Sequence, residues 1–140
     1  MRRIALAACA LALSGAASAV DERTPSDAGR GERAFQKCYA CHSVRPGEDG
    51  LSGPNLAGIV GRRAADRPDF EYSAALLAAA RERDLVWTPA ALDAFLRDPE
   101  AFVPGTSMSF IGIRDPDERA ALIHFLSRPA PPTEPAPALK

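Results

Sequence analysis

A chain of 140 residues with 46% apolar and 25% charged side chains has room for one domain with a modest core. Its 17 basic and 18 acidic side chains nearly cancel, which excludes the strong basic field of a nucleic-acid binder and gives no electrostatic reason for membrane attachment. The segments at both ends shorten the folded part further, to roughly Thr24–Arg128.

Met1-Arg2-Arg3 followed by the apolar run Ile4 to Leu13 reads as the charged and apolar regions of a secretory signal, and Ala17-Ser18-Ala19 supplies small residues for cleavage. Residues 1–19 are therefore expected to be a signal peptide and the mature chain to begin at Val20, in the periplasm. The run is short and Ala-rich, a weak candidate for an uncleaved anchor. Cys9 ends a lipobox-like Leu6-Ala7-Ala8-Cys9, but so early that little apolar sequence would precede the cut. Loss of Arg2 and Arg3 leaves 15 basic against 18 acidic side chains, about −3. Residues 20–26 read as an N-terminal extension.

The first helix is expected from Asp27 to Ala40, capped by Ser26 or Asp27, with Gly31, Phe35, Cys38 and His42 along one face. A glycine inside a helix costs about 1 kcal/mol relative to alanine, so Gly31 predicts the close approach of another backbone. Cys38-Tyr39-Ala40-Cys41-His42 is a Cys-x-x-Cys-His run, the attachment signature of c-type haem, in which two thiols add to the vinyl groups and the adjacent imidazole binds iron. A dithiol site of the thioredoxin kind would need a βαβ context, and a zinc site a second pair of ligands; neither is in the sequence. Ser43 to Ala57 is a Gly- and Pro-rich loop containing Ser52-Gly53-Pro54-Asn55-Leu56.

Three more helices follow in order. Ser73 caps a run from Ala74 to Ala80. Thr88 caps a second with Pro89 at its first position, an apolar face of Leu92, Phe95 and Leu96, and Pro99 as the stop. Asp115, Pro116 and Glu118 open the last with a capping-box pattern, and Leu122, Phe125 and Leu126 form its stripe. His124 lies off that stripe and reads as a surface residue. Pro129 to Lys140 holds five prolines in twelve residues and is expected to be a flexible, extended tail.

The haem motif, Gly53-Pro54-Asn55-Leu56, Gly61-Arg62, Trp87 and Pro104-Gly105-Thr106-Ser107-Met108-Ser109-Phe110, in this order and at these intervals, resemble a class I cytochrome c of the bacterial cytochrome c2 and mitochondrial type. The resemblance spans about Asp27 to Leu126. It implies an all-α, small cytochrome c fold of three to five helices around one haem c, covalently bound through Cys38 and Cys41, in a domain of residues 27–128. A domain this small buries a modest share of its surface, so the macrocycle would supply much of the core, and the haem-free chain is expected to fold poorly.

By the same resemblance the Pro54 carbonyl accepts the His42 ring N–H, and Arg62, Tyr72, Trp87 and Thr106 neighbour the haem propionates, which need donors or cations once removed from water. Met108 is the only methionine after Met1 and sits in a Pro/Gly loop rather than on an amphipathic face. It is expected to be the second iron ligand beside His42, its soft thioether favouring reduced iron and leaving no open site for a substrate. Two departures stand out: no side-chain amide occurs between Tyr72 and Trp87, and Phe95 stands where relatives commonly place a tyrosine that hydrogen-bonds the methionine sulfur.

The implied function is a non-enzymatic, monomeric periplasmic carrier of single electrons, exchanging them through an exposed haem edge with a membrane bc-type complex, an oxidase or a periplasmic dehydrogenase. It would touch membranes only through such partners and bind no nucleic acid. Lys37 and Lys140 are the only lysines, so the ring of lysines by which mitochondrial relatives dock is absent and a weakly charged docking face is expected. Two alternatives are a dedicated haem subunit tethered by the proline tail, and a gas-binding or peroxide-reducing protein with a labile Met108. The second lacks any distal acid or base other than the remote His124.

Overall fold

A computed structural model of the chain describes residues 27–129. The expected signal peptide with Cys9 and Ala19, the extension with the candidate cap Ser26, and tail residues 130–140 lie outside the described residues.

Five helices form: α1 (Asp27–Phe35), α2 (Ala74–Glu82), α3 (Pro89–Arg97), α4 (Pro99–Phe102) and α5 (Pro116–Leu126). The local signals behave as the sequence predicts. Ser73 Oγ accepts from Leu76 N–H at the start of α2, Thr88 Oγ1 from Ala91 N–H at α3, and Asp115 Oδ1 from Asp117 and Glu118 N–H at α5, each satisfying donors a helix start leaves open. No strand occurs among the described residues. The stretch around Arg62 pairs instead with that around Val86, through Ala64 N–H to Leu85 O at 2.8 Å and Trp87 N–H to Arg62 O at 2.9 Å.

The architecture rests on α1 packed against α5, with α3 also packed on α5. Gly31 makes the first contact possible: a Cβ there would lie 2.4 Å from Ala121 O and 2.6 Å from Phe125 Cβ. One turn on, the Phe35 and Phe125 rings meet with centroids 5.4 Å apart. The family resemblance sets Leu122 and Phe125 against Gly31 and Phe35: Phe125 meets both the glycine and the Phe35 ring, and Leu122, at 0% exposure, is buried in the core cluster with Phe35, Trp87, Phe95 and Val103, while the backbone nearest the glycine is that of Ala121. His124 is exposed, as expected.

Three boundaries differ from the sequence reading. Helix α1 ends at Phe35 rather than Ala40. Beyond it Gln36, Lys37 and Cys38 donate to the carbonyls three residues back, tightening the chain into successive turns, the usual finish of a helix end. Pro99 ends α3 as expected but also opens α4, because Asp98 is extended and its carboxylate caps the new turn at Ala101 N–H. Glu118 does not complete a capping box: its carboxylate pairs with Lys37, tying the turn that carries the haem motif to the first turn of α5.

Gly31→Ala weighs a helix-propensity gain of about 1 kcal/mol against overpacking worth about 1–3 kcal/mol. The atoms it meets are a backbone carbonyl and a Cβ, neither of which can swing aside. The variant is expected to melt lower than the parent holoprotein, by about 4–8 °C per kcal/mol of net loss; an unchanged or higher melting temperature would mean that α1 and α5 can part at no cost.

Candidate haem site

Cys38, Cys41 and His42 occupy the turns after α1. His42 N–H donates to Cys38 O at 2.9 Å and Cys41 N–H to the same carbonyl at 3.0 Å, so the two cysteines and the histidine stay within one turn although the helix has ended. Cys41 is exposed and Cys38 half-buried; burial pushes the Cys38 thiol up to about 11, with smaller influences from Lys37, Cys41 and Glu118. At neutral pH that sulfur is a thiol, the state whose S–H adds across a vinyl group with no change in oxidation level.

The His42 ring is fixed from two sides. Nδ1 lies 2.7 Å from Pro54 O, and because a carbonyl only accepts, Nδ1 carries the proton. Burial lowers the imidazole pKa and the Pro54 hydrogen bond only partly opposes it, so the ring is neutral at physiological pH. Nε2 then holds a lone pair, and no hydrogen bond from the described residues engages it. Gly53 lies against the ring's flank: a Cβ there would stand 2.4 Å from His42 Cε1 and 2.7 Å from Nδ1. A neutral imidazole, oriented through Nδ1 and with Nε2 available, is the state an iron ligand requires.

The loop presenting Pro54 is held by side chains in place of a sheet. Gly53 N–H returns to Cys41 O at 2.8 Å and Leu56 N–H to Ser43 O at 2.7 Å. Asn55, 3% exposed, donates through Nδ2 to Arg45 O at 2.7 Å and Glu48 O at 3.0 Å and accepts Ala57 N–H at 2.8 Å, so its buried amide is satisfied on both ends. Ser43 Oγ donates to Glu48 at 2.7 Å. Asn55 figured in the sequence only as part of a motif. Its structural work has a sequence signal, a lone amide beside a proline in a loop too long to leave its backbone unpaired.

The four expected propionate neighbours are placed as follows. Arg62 is half-buried and donates to Asn55 O at 3.0 Å and Ala57 O at 3.1 Å, fastening the Pro54 loop from beyond its end. Tyr72 is half-buried against the edge of Phe70, ring centroids 4.9 Å apart, and its phenol pKa is raised by burial against lowering by the Arg67 backbone and the Arg62 charge. Trp87 is buried beside Phe95, centroids 5.0 Å apart, and its indole N–H makes no hydrogen bond to the described residues. Thr106 is half-buried and its hydroxyl faces Met108 N–H at 3.4 Å. Arg62 and Tyr72 share one neighbourhood, the guanidinium charge favouring ionisation of the phenol while burial opposes it.

Met108 is half-buried, packs against the same core cluster as Cys38, and lines a cleft of about 620 Å³ with Glu100 and residues 106–111. Its loop leaves α4 through Gly105, whose φ of +84° suits glycine and whose N–H donates to Glu100 at 2.9 Å. Phe95 packs between Trp87 and Phe102, an apolar role in place of the tyrosine hydroxyl.

The turn-borne thiols and the oriented neutral histidine make a candidate haem site on a small helical frame, and comparison with known proteins shows the haem-binding family to which it belongs. The Cytochrome c family profile matches residues 28–128. The chain is similar to cytochrome c2 of Rhodomicrobium vannielii, 39% identical over 127 residues that cover 91% of this chain and 96% of that one. It is also similar to cytochrome c2 of Agrobacterium tumefaciens, 44% identical over 100 residues, 71% and 89% of the two chains. Among solved structures, cytochrome c2 from Rhodospirillum centenum superposes with a TM-score of 0.69 at 37% identity, covering 75% of this chain and 99% of the other. The chain therefore belongs to the cytochrome c family, as a class I cytochrome c of the c2 type. It binds haem c covalently through Cys38 and Cys41 and is a monohaem electron carrier acting between redox partners.

Gly53→Ala tests the cradle. The added methyl must displace either the imidazole or the loop, and the Nδ1–H bond to Pro54 is lost with either. The variant is expected to accumulate with less haem per chain and to melt about 1–3 kcal/mol less stable than the parent; parental haem content together with a parental melt would show that the ring is not held between Gly53 and Pro54.

Proposed function

We propose that the protein is a periplasmic single-electron shuttle in which His42 and Met108 would hold the haem iron. Bound haem c supplies a one-electron couple. The observation that carries the reading is the 2.7 Å hydrogen bond from His42 Nδ1–H to Pro54 O on a half-buried neutral imidazole, which leaves Nε2 as the donor atom. Met108 contributes a neutral sulfur from the opposite segment of the chain, so the ligand pair adds no charge to the site and favours reduced iron. Arg62, Tyr72, Trp87 and Thr106 act as donors toward the propionates. Export through the segment ending at Ala19 delivers the chain to the compartment where it works as a monomer.

The exchange face comprises the exposed Cys41 turn and the Met108 loop. Tyr39 at 62% exposure and Ile111 at 87% add apolar side chains, Lys37 lies against Glu118, and Arg97 lies 3.6 Å from Asp93, a carboxylate shared with Arg119. A bc-type complex, an oxidase or a dehydrogenase would meet it mainly through apolar contact.

Two measurements test these readings. The mature, haem-loaded ferric protein should be low-spin with the weak far-red band of methionine-bound iron, and the reduced form should ignore carbon monoxide. A high-spin or carbon-monoxide-reactive protein would remove Met108 from the iron. Second, electron transfer with a redox partner should change less than about threefold between low and physiological ionic strength, whereas steered association falls steeply with salt. A steep fall would refute the weakly charged face.

A further inference from the structure

Arg119 is the one buried charged residue among the described residues, 6% exposed on a helix face that is otherwise apolar. Removing a guanidinium from water is costly unless every side of it is paired, and here it is. Nε donates to Asp93 Oδ1 at 2.7 Å and Nη2 faces Asp93 Oδ2 at 3.5 Å, while Nη1 donates to Ile113 O at 2.8 Å and Arg114 O at 2.9 Å. One side chain on α5 thus binds α3 and the strap that follows Met108. The strap is pinned at the same place by Ile113 N–H to Leu96 O at 2.8 Å, and Gly112, at φ +88°, brings its backbone so close to the end of α3 that a Cβ would lie 2.2 Å from Arg97 O.

Between Met108 and Ile113 the backbone has only the local Phe110 N–H to Met108 O bond, and Ser107, Ser109 and Ile111 are exposed. The loop is therefore a span fixed at α4 upstream and at Arg119 downstream. With phenylalanine at position 95, no tyrosine hydroxyl there reaches for the sulfur. Its position depends on the two ends.

We propose that Asp93 and Arg119 are positioning residues for Met108: their ion pair clamps the strap to α3 and sets how often the thioether leaves the iron. The proposal rests on the His42/Met108 reading. When the clamp opens, the strap carbonyls of Ile113 and Arg114 are no longer tied through the guanidinium to Asp93 on α3 and the span lengthens, so an external ligand finds the iron accessible in a larger fraction of chains.

The test is an equilibrium titration of ferric holoprotein with imidazole, followed by loss of the far-red band, for the parent, Arg119→Gln and Asp93→Asn, with Ile59→Val as a control that trims a buried side chain outside α3, α5 and the strap. Apparent affinity scales with the fraction of open chains, so both clamp variants should bind imidazole about tenfold or more tightly than the parent, while the control melts lower with its affinity unchanged. Should Arg119→Gln fail to fold, Asp93→Asn decides: Asp93 is partly exposed, and an amide in place of its carboxylate takes the counter-charge from the guanidinium, so that Arg119 no longer ties the strap to α3. Clamp variants that melt lower yet bind imidazole like the parent would overturn the proposal and leave the pair a purely structural one. A parent lacking the far-red band would instead overturn the ligation reading itself.

Discussion

The absence of a side chain at Gly31 is the constraint on which the other placements depend. It lets α1 lie directly on the backbone of α5 at Ala121, and that approach fixes where the chain leaves α1. The Phe35–Phe125 contact and the Lys37–Glu118 pair then hold the turns bearing Cys38, Cys41 and His42 against α5. A helix pair with ordinary side chains at the crossing would stand farther apart, and the haem-bearing turns would lose their backing. The glycine's propensity penalty of about 1 kcal/mol is small beside what the contact organises.

Much of this cytochrome is loop, so its backbone groups cannot rely on long ladders. The structure answers with side chains that act as local substitutes. Asn55 satisfies three backbone groups of the Pro54 loop, Arg62 takes two of its carbonyls, and Arg119 takes two carbonyls of the strap. Each sits beside a segment carrying a residue of the haem site. The polar side chains in the interior are therefore not scattered exceptions to an apolar core; they are what lets irregular chain pack inward without leaving its backbone groups unpaired.

Features set within a few residues of one another could be read from the sequence. The caps at Ser73, Thr88 and Asp115 and the prolines after the last two specify helix starts by bonds that span two or three positions. The haem motif and the His42–Pro54 partnership were legible for the same reason, with family resemblance supplying the second. The end of α1 was not, because nothing in residues 36–40 forbids a helix; the turn tightens there while Cys41 O is engaged by Gly53. Glu118 had a correct local role available and took a distant one with Lys37, 81 positions away. Arg119 and Asp93 are 26 positions apart and look like solvated charges in any linear reading. Arg62 was expected at the propionates, and its two backbone acceptors in the Pro54 loop are visible only once the chain is folded.

The pairing of Lys37 with Glu118 has a practical side. Lys37 is the only lysine among the described residues, and it adjoins the first haem-bearing cysteine. An amine-directed dye, crosslinker or surface linker therefore has a single side-chain address on the folded part, beside the haem. Attachment there would orient every molecule on an electrode alike, with the redox centre toward the support, though it would also free Glu118 from its partner. With one lysine in residues 27–129, the domain is addressable through side-chain amines at one point.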